Sequence, residues 1–431
     1  MAEAPPAAKA PRPGLGRRFR NQVRNGLLRA PALFNAANRV RNLGIDALIA
    51  TFPARYIGKT IGAAEAAALP GGGVRNLQML HPAERVQIGS GAPDRFFEVA
   101  QYHREGWFQR ADIFVCEIPN AHVHVRSGMV CTRDFEVLVD EGLEHRHLLY
   151  QPFRKRRPQQ VRKVAGLWAT LAYCNAENFW HWMIDCLPKL QTLERAAAGR
   201  TVTLFMPQTA LGFQRYTLEA LLPANFRLEY LDSNVDVWLQ PECLLWSTLL
   251  SGLCIGQLPA GYIDGIRQPI FRRIGLPASH TKSERIYVSR RNAGHRRVRN
   301  EDALCELLSA YGFRSVQLEK LPFEQQVSLF HSAEIVVGAH GAGLGTILFS
   351  GDIDVVALYS TANPGNYFHS LAVGLGQRHH FVCEDEAHED NWFDADLAAI
   401  KSILENDLHL SPIPPEIQQG SQGRGSLGSS E

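Results

Sequence analysis

The chain has 431 residues, of which 45% are apolar and 20% charged, so it is long enough for two or three domains and too hydrophobic to be disordered throughout. Its 45 basic and 43 acidic residues give a net charge of +2, which excludes a dedicated nucleic-acid coat and an acidic tail protein. The balance is uneven along the chain, because residues 1–42 carry a charge of +8 and the remainder carries −6.

The two ends of the chain are predicted to lie outside the folded body. Residues 1–65 form a basic, partly disordered leader without the apolar core of a secretory signal, and residues 411–431 form a Gly/Ser-rich disordered tail. The eight cysteines are scattered, which favours reduced thiols and a cytoplasmic protein. The leader could hold the protein at the anionic inner face of the plasma membrane, or it could be a solvated arm. Only two aromatic residues, Phe19 and Phe34, lie among the basic residues of positions 9–41, which is too few for an aromatic-interleaved basic patch, so we expect no nucleic-acid partner.

Residues 66–160 are predicted to form a small β-rich N-terminal region, because short β-type runs alternate there with turn residues. These runs are Ile113–Ile118, Val123–Val125 and Glu136–Val139. Further on, Cys243–Ile263 is uncharged and long enough to span a bilayer, but its glycines, proline and polar residues favour a buried strand and loop.

From residue 161 onwards the pattern alternates between strands and helices. In residues 161–275 we predict the helices Ala176–Cys186 and Gly212–Leu222 and the strands Thr201–Phe205 and Leu228–Leu231. In residues 276–410 we predict the strands Arg285–Ser289, Ser315–Leu318, Ile335–Gly338, Val355–Tyr359 and His380–Val382. The helices between and after them are Glu301–Tyr311, Phe323–Ser332, Gly343–Phe349, Tyr367–Gly374 and Phe393–Leu408. This alternation is typical of βαβ units, so the predicted fold class is α/β, with two Rossmann-like halves facing a cleft.

The helix Ala176–Cys186 carries the first group of candidate site residues. His181 and Asp185 are four residues apart, so they share one helix face and are within mutual reach. A carboxylate that accepts from one imidazole nitrogen fixes the tautomer and makes the other nitrogen a better general base. On neighbouring positions, Asn178 could bind a hydroxyl group, and Trp180 and Trp182 could stack on a sugar ring. The alternative is a helix-surface His–Asp pair beside core tryptophans.

Arg290 and Arg291 directly follow a predicted strand, at the edge where open α/β sheets bind ligands. A guanidinium group can meet diphosphate oxygens with two parallel hydrogen bonds. We therefore predict that these two arginines bind a diphosphate. Three later arginines could instead form a solvated face balanced by nearby acids: Arg296, Arg297 and Arg299.

A glycine-rich turn follows the apolar strand Ile335–Gly338 and contains four further candidates. They are His340, Gly341, Gly343 and Thr346. Such a turn lets a ligand approach the backbone, and the free N–H groups at the following helix start can bind phosphate. This turn contains neither GK[ST] nor GxGxxG, so it is neither a Walker A loop nor a dinucleotide fingerprint. The alternative is a tight, closely packed turn.

Metal binding is not expected. The pairs Asp352/Asp354 and Asp394/Asp396 each read DxD, but one lies in a turn before a strand and the other at a helix start, where aspartate is a favoured cap. The pair His379-His380 abuts a strand without further ligands at metal spacing.

Taken together, three motifs resemble glycosyltransferase family 61, also labelled as a domain of unknown function or as capsular polysaccharide biosynthesis proteins in bacteria. The motifs are NFWHWMIDCLPKL, SRRNAGHRRVRNED and GAHGAGLGTILF, in that order. The resemblance covers about half the chain, from Leu167 to Val382. Family members typically continue the glycine loop as GLTN, whereas this chain reads GLGT, so a hydroxyl replaces an amide.

The resemblance implies a GT-B fold and an inverting, metal-independent transfer from a nucleotide sugar, which is a co-substrate rather than a cofactor. It implies a glycan or lipid-linked glycan acceptor in surface or capsular polysaccharide biosynthesis. Residues 161–275 would then bind the acceptor and residues 276–410 the donor. Two alternatives stay open: a nicotinamide-dependent oxidoreductase, which is disfavoured because no predicted strand is followed by a GxGxxG turn with an acid about 20 residues on, and a non-catalytic glycan-binding relative.

Overall fold

The computed structural model describes residues 57, 60–69, 71, 73–88, 102–103, 106–139, 157–158, 160–172, 175–233, 237–251, 256–277, 282–360, 365, 367–384 and 392–414. The chain divides into two compact units. One unit consists of Met1–Gly58 and Phe153–Arg157 and is described only at residues 57 and 157. The other, Lys59–Pro152 with Pro158–Glu431, carries every element described below. Most of the predicted leader and tail lies outside the described residues.

The N-terminal part of the larger unit is built mainly of strands. They are β1 (Thr60–Gly62), β2 (Arg75–His81), β3 (Glu84–Gln87), β4 (Tyr102–His103), β5 (Trp107–Arg110), β6 (Ile113–Pro119), β7 (His122–His124), β8 (Val130–Cys131), β9 (Val137–Val139), β10 (Arg162–Thr170), β11 (Val202–Pro207), β12 (Phe226–Leu231) and β13 (Trp238–Ser247). Within the described residues, β3, β5 and β4 form a small antiparallel sheet and the other ten strands form one large sheet.

The large sheet is mixed, and β13 has a parallel neighbour on one side and antiparallel neighbours on the other. Its order is β1-β9-β8-β7-β13-β10-β11-β12, with β6 also pairing with β13 and β2 pairing with β6. Strands β10, β11, β12 and β13 run parallel, whereas β6 and β7 lie antiparallel to β13. The predicted β-rich region and the predicted first Rossmann-like half therefore share one continuous sheet, because β13 is the neighbour of strands from both.

The C-terminal part contains a five-stranded parallel sheet. Its strands are β14 (Glu284–Val288), β15 (Phe313–Val316), β16 (Ala333–Ala339), β17 (Asp354–Ser360) and β18 (Arg378–Glu384), in the order β15-β14-β16-β17-β18. All seven residues of β17 are buried, as expected for a central strand covered on both faces. The strand order reverses between β14 and β16, and such a switch point is where doubly wound sheets bind ligands.

Helices connect and cover the strands. They are α1 (Ala63–Ala68), α2 (Phe179–His181, continued by a π-helical turn at Trp182–Cys186), α3 (Lys189–Ala197), α4 (Gly212–Leu221), α5 (Tyr262–Ile274), α6 (Glu301–Ala310), α7 (Phe323–His331), α8 (Tyr367–Gly374) and α9 (Leu397–Ser402, continued by a π-helical turn at Ile403–Asp407). Two 3-10 helices, Leu318–Lys320 and Ala342–Phe349, lie at the carboxyl ends of β15 and β16. The α/β class is thus confirmed.

Aromatic side chains join the N-terminal and C-terminal parts of the larger unit. The ring of Phe323 on α7 lies 6.3 Å from that of Phe179 on α2 and 5.3 Å from that of Tyr216 on α4. Phe323 also contacts Phe349, at the end of a 3-10 helix, with ring centroids 5.7 Å apart. The helix with the predicted base therefore packs against α7 of the C-terminal part.

The uncharged stretch Cys243–Ile263 begins inside β13, which ends at Ser247, and extends into the start of α5. Residues 252–255 of this stretch lie outside the described residues. In the part of the chain that the structure describes, no helix is both long and apolar enough to cross a membrane.

Candidate functional site

His181 and Asp185 form a hydrogen-bonded pair on α2. The distance from His181 Nδ1 to Asp185 Oδ2 is 2.7 Å, as the i, i+4 spacing predicts. The Asp185 side chain is only 1% exposed, whereas that of His181 is 17% exposed. The pair thus has a buried carboxylate end and a more accessible imidazole end. With the proton on Nδ1, the lone pair of the imidazole lies at Nε2.

The start of α2 explains the local geometry. Asn178 is exposed and caps the helix, because its Oδ1 accepts a hydrogen bond from Trp180 N at 2.9 Å. The helix therefore begins at Phe179, three residues later than predicted, and then widens into a π-helical turn, a feature frequent at functional sites. Trp182 is completely buried and donates from Nε1 to Thr217 Oγ1 at 2.9 Å. The structure does not bring Trp182 to the surface beside His181.

Arg290 lies at the switch point of the C-terminal sheet. It follows β14, and its guanidinium group contacts Gly341, which follows β16. Its Nη2 donates to the carbonyl oxygen of His295 at 3.0 Å, which holds the guanidinium in place. Burial, and next the nearby charge of Arg296, lowers the pKa of Arg290 to about 10. A partly buried cation in this position is suited to an anionic ligand.

Arg291 points elsewhere. It pairs with Asp302 and lies 3.5 Å from a Glu301 carboxylate oxygen, both on the first turn of α6. The hydrogen bond that Arg291 donates to Asp302 raises the pKa of this exposed arginine. The acids that the sequence suggested as partners for the later arginines are thus engaged by Arg291.

Arg296 is the residue that the sequence interpretation missed. It is half-buried beside Arg290, its pKa is lowered by burial, and its backbone adopts a left-handed conformation with φ of +57°. Arg290 Nε donates to its carbonyl oxygen at 3.3 Å. Among the described residues, neither Arg290 nor Arg296 forms an ion pair with a carboxylate. Two arginines therefore lie close together without the acids that neutralise Arg291.

The glycine-rich turn is closely packed, as the alternative interpretation of its sequence predicts. A Cβ at Gly343 would lie 3.2 Å from a Leu318 methyl group, and a Cβ at Gly345 would lie 2.9 Å from Cε3 of Trp180. Thr346 is completely buried, and its hydroxyl donates to the Gly343 carbonyl oxygen at 2.8 Å. Of the predicted residues here, Gly341 lies beside Arg290, whereas Gly343 and Thr346 stabilise the turn itself.

His340 is buried in an aromatic cluster. Its ring centroid lies 5.1 Å from that of Phe368, 5.4 Å from that of Tyr359 and 5.8 Å from that of Tyr367. Tyr367 is only partly buried, and its ring also lies 6.3 Å from that of Trp180. Tyr367 therefore connects α2 with the loop that follows β16.

The two DxD pairs have structural partners. Arg378 donates to both oxygens of Asp354 and to Asp352, each at 2.8 Å. Burial raises the pKa of Asp354, but hydrogen bonds from His380 and Arg378 outweigh it and leave that pKa lowered. Asp396 caps α9 by accepting from Ala399 N at 2.9 Å. No group of three or more metal-ligating side chains is found among the described residues.

Comparison with known proteins indicates the class of protein to which this geometry belongs. A family model described as Glycosyltransferase 61 matches residues 179–357, from the start of α2 into β17, and this match supports the family assignment for that segment.

Three curated relatives carry one name, EGF domain-specific O-linked N-acetylglucosamine transferase. The chain is 32% identical to the Drosophila melanogaster protein over 140 residues, which cover 31% of this chain and 27% of the relative. It is 28% identical to the Gallus gallus protein and 31% identical to the Xenopus laevis protein, each over 26% of this chain and 22% of the relative. The chain thus spans about a quarter of the length of these relatives. The family match and the relatives' names together support a glycosyltransferase.

Proposed function

We propose that the chain transfers a sugar from a nucleotide sugar to an acceptor hydroxyl group, with His181 as general base. The observation that carries this proposal is the contact between Trp180 and Gly345. It places the helix of His181 directly against the glycine-rich loop that begins beside Arg290. The elements that carry the groups suited to the acceptor and to the donor diphosphate thereby pack against each other.

The donor side of the proposal rests on Arg290, Arg296 and the turn that starts at Gly341. A departing nucleoside diphosphate gains negative charge as the glycosidic bond breaks. Preorganised cations and backbone N–H groups can stabilise that charge, each donor contributing roughly 3 kcal/mol in the transition state. Gly341 allows the guanidinium of Arg290 to lie against the backbone at the start of the 3-10 helix.

The acceptor side rests on the His181–Asp185 pair. The acceptor oxygen forms a bond to the anomeric carbon while the bond from that carbon to the diphosphate oxygen breaks. The hydroxyl proton goes to Nε2 of His181, and the nucleoside diphosphate leaves with the bonding electron pair. Asp185 stabilises the resulting imidazolium through Nδ1. A single displacement of this kind inverts the anomeric configuration.

The proposal includes a GT-B-like arrangement and a reaction without a metal ion. The parallel C-terminal sheet and its switch point support a nucleotide-binding half of this type. Metal independence is supported by the ion pairs of Asp352 and Asp354 with Arg378, which occupy the carboxylates of that DxD pair. A cytoplasmic protein held at an anionic membrane surface remains part of the proposal.

Two acceptor classes are compatible with the same base. The names of the relatives favour N-acetylglucosamine as the sugar and a protein hydroxyl group as the acceptor. The resemblance noted in the sequence favours a glycan acceptor in surface polysaccharide biosynthesis. Both acceptor classes should therefore be assayed with the same donor, UDP-N-acetylglucosamine.

The test is a transfer assay that measures release of nucleoside diphosphate and labelled product, with a folded EGF domain and with oligosaccharides as acceptors. Replacing His181 with Asn should lower kcat by about 10²-fold or more, the usual contribution of a general base, while nucleotide binding persists. The exposed His409 supplies the matched control, His409→Asn, which should transfer normally. Full activity of His181→Asn would refute the assignment of the base.

Further measurements distinguish the alternative functions. A thermal shift with NAD but not with UDP would favour the oxidoreductase, and glycan binding without release of nucleoside diphosphate would favour a non-catalytic protein. Proton NMR of the product then reports whether the anomeric configuration has inverted.

A further inference from the structure

The buried carboxylate of Asp185 needs hydrogen-bond donors, because an ionised group removed from water is costly unless it is paired. Its two oxygens have different partners. Oδ2 faces Nδ1 of His181 at 2.7 Å, whereas Oδ1 accepts a hydrogen bond from the hydroxyl group of Ser251.

Ser251 reaches this position from a distant part of the chain. It follows β13 by four residues, is completely buried, and is separated from Asp185 by 66 positions in the sequence. The carboxylate of Asp185 thus joins the segment after β13 to the π-helical turn that continues α2. A donor on each oxygen opposes rotation of that carboxylate about its bond to Cβ, so its position relative to His181 is fixed.

We infer that Ser251 is a positioning residue that acts through Asp185 to hold His181 as its Nδ1–H tautomer. This inference rests on the proposed function, in which Nε2 takes the acceptor proton. Ser251 keeps its own proton throughout and donates its hydrogen bond to the Asp185 carboxylate. The arrangement differs from a nucleophilic triad, in which the serine hydroxyl binds the imidazole. No covalent intermediate on Ser251 is therefore involved.

The experiment compares Ser251→Ala with Ser247→Ala. Ser247 is a matched control because it is also buried and hydrogen-bonded, at 2.8 Å to Thr192, but it is not bonded to Asp185. Nitrogen-15 NMR of histidine-labelled full-length protein, with His181→Asn to assign the signal, measures the tautomer of His181. We expect the Nδ1–H form in the wild type and in Ser247→Ala, and a mixture of tautomers in Ser251→Ala.

Kinetics provide the second measurement. Ser251→Ala should lower kcat by about tenfold, a part of the 10²–10⁴-fold contribution of a general base, with KM for the nucleotide sugar unchanged. Ser251→Cys keeps the shape of the side chain, with a somewhat larger sulfur atom, and offers a weak S–H donor, so its kcat should be intermediate. It also carries the test if Ser251→Ala does not fold.

Identical His181 tautomers and identical kcat in Ser251→Ala and Ser247→Ala would overturn the inference, as would an Nε2–H tautomer in the wild type. The NMR measurement needs no substrate. If no donor and acceptor pair supports transfer, the proposed function fails while the tautomers still decide the role of Ser251.

Discussion

The guanidinium group of Arg290 occupies the space that a Cβ at Gly341 would fill. The backbone of Gly341 is extended, with φ of 175°, a conformation open to any residue. A side chain is therefore excluded at this position by the arginine rather than by the backbone. The guanidinium group of Arg290, in the loop after β14, therefore lies against the start of the glycine-rich turn after β16.

Arg290→Ala should weaken the binding of UDP, because it removes a partly buried cation from the switch point of the sheet. Hydrogen bonds to charged groups contribute about 1.5–3 kcal/mol, which corresponds to a loss of roughly 10- to 100-fold in affinity by isothermal titration calorimetry. Arg291→Ala is the matched control. Because Arg291 pairs with acids of α6, its removal should leave UDP affinity unchanged. A larger loss of UDP affinity in Arg291→Ala than in Arg290→Ala would refute the assignment of Arg290 as the diphosphate-binding arginine.

Gly341→Ala should reduce UDP affinity without unfolding the protein. The added methyl group would displace the end of a flexible side chain, Arg290, and leave the extended backbone unstrained. Gly294→Ala is the control. Gly294 lies in the loop that carries Arg290, and a Cβ there would have no other atom within 4 Å. Equal UDP affinities for the two variants would show that the position of Arg290 does not matter for binding.

The contrast between Arg290 and Arg291 shows where sequence interpretation stops. The strand before them and the ligand-binding edge were predictable from apolar runs and their spacing. Which of two adjacent arginines would turn towards the glycine loop was not, because the answer depends on α6, whose acids bind Arg291. Local spacing predicted the His181–Asp185 contact, whereas the bond from Ser251 joins residues too far apart in sequence for any periodicity to indicate.

Trp182 and Thr346 illustrate the same limit. Both residue types suit a ligand site, yet packing buries both and uses their polar groups internally. The parallel C-terminal sheet was predictable because its buried strands are continuous apolar runs. The large mixed sheet was not, since its assembly depends on long-range pairing of β13 with β6 and β10.

Gly345→Ala should destabilise the junction between α2 and the glycine-rich turn. A Cβ there would lie 2.9 Å from Trp180 Cε3, and Trp180 has little room to move because its ring also packs against Phe368 at 4.9 Å. Overpacking of this kind costs about 1–3 kcal/mol, measurable by urea denaturation. Gly212→Ala, at the open start of α4, should be neutral or stabilising. Equal stabilities would mean that the junction tolerates the methyl group.

Removal of divalent metal ions should leave UDP binding unchanged. Arg378 donates to both Asp352 and Asp354, so these carboxylates are already neutralised on the strand edge where β17 begins. Calorimetric titration of UDP after EDTA treatment should therefore give the same affinity as titration with Mg²⁺ or Mn²⁺. An affinity that is lost with EDTA and restored by Mn²⁺ would contradict the proposed metal-free donor site.

Acidification should destabilise the protein through two histidines whose ring nitrogens are buried: His369 on α8, and the half-buried His379 on β18. Their rings are 5.1 Å apart. Burial lowers the pKa of both, and for His379 the neighbouring histidines lower it further. Because the unfolded chain binds protons near pH 6.5 and the folded protein does not, the stability falls as the pH drops below about 6.5. Each group contributes a slope of about 1.4 kcal/mol per pH unit until its own lowered pKa is reached.

The variant His379→Leu removes one of these two groups, so its unfolding free energy should depend less steeply on pH between about 6.5 and 5 in urea titrations. His409→Asn removes an exposed histidine instead and should leave the slope unchanged. Both imidazole nitrogens of His379 are buried without a hydrogen-bond partner among the described residues, so protonation there gains no compensating acceptor from them. A wild-type slope in His379→Leu would mean that the native protein admits the proton at this site without cost.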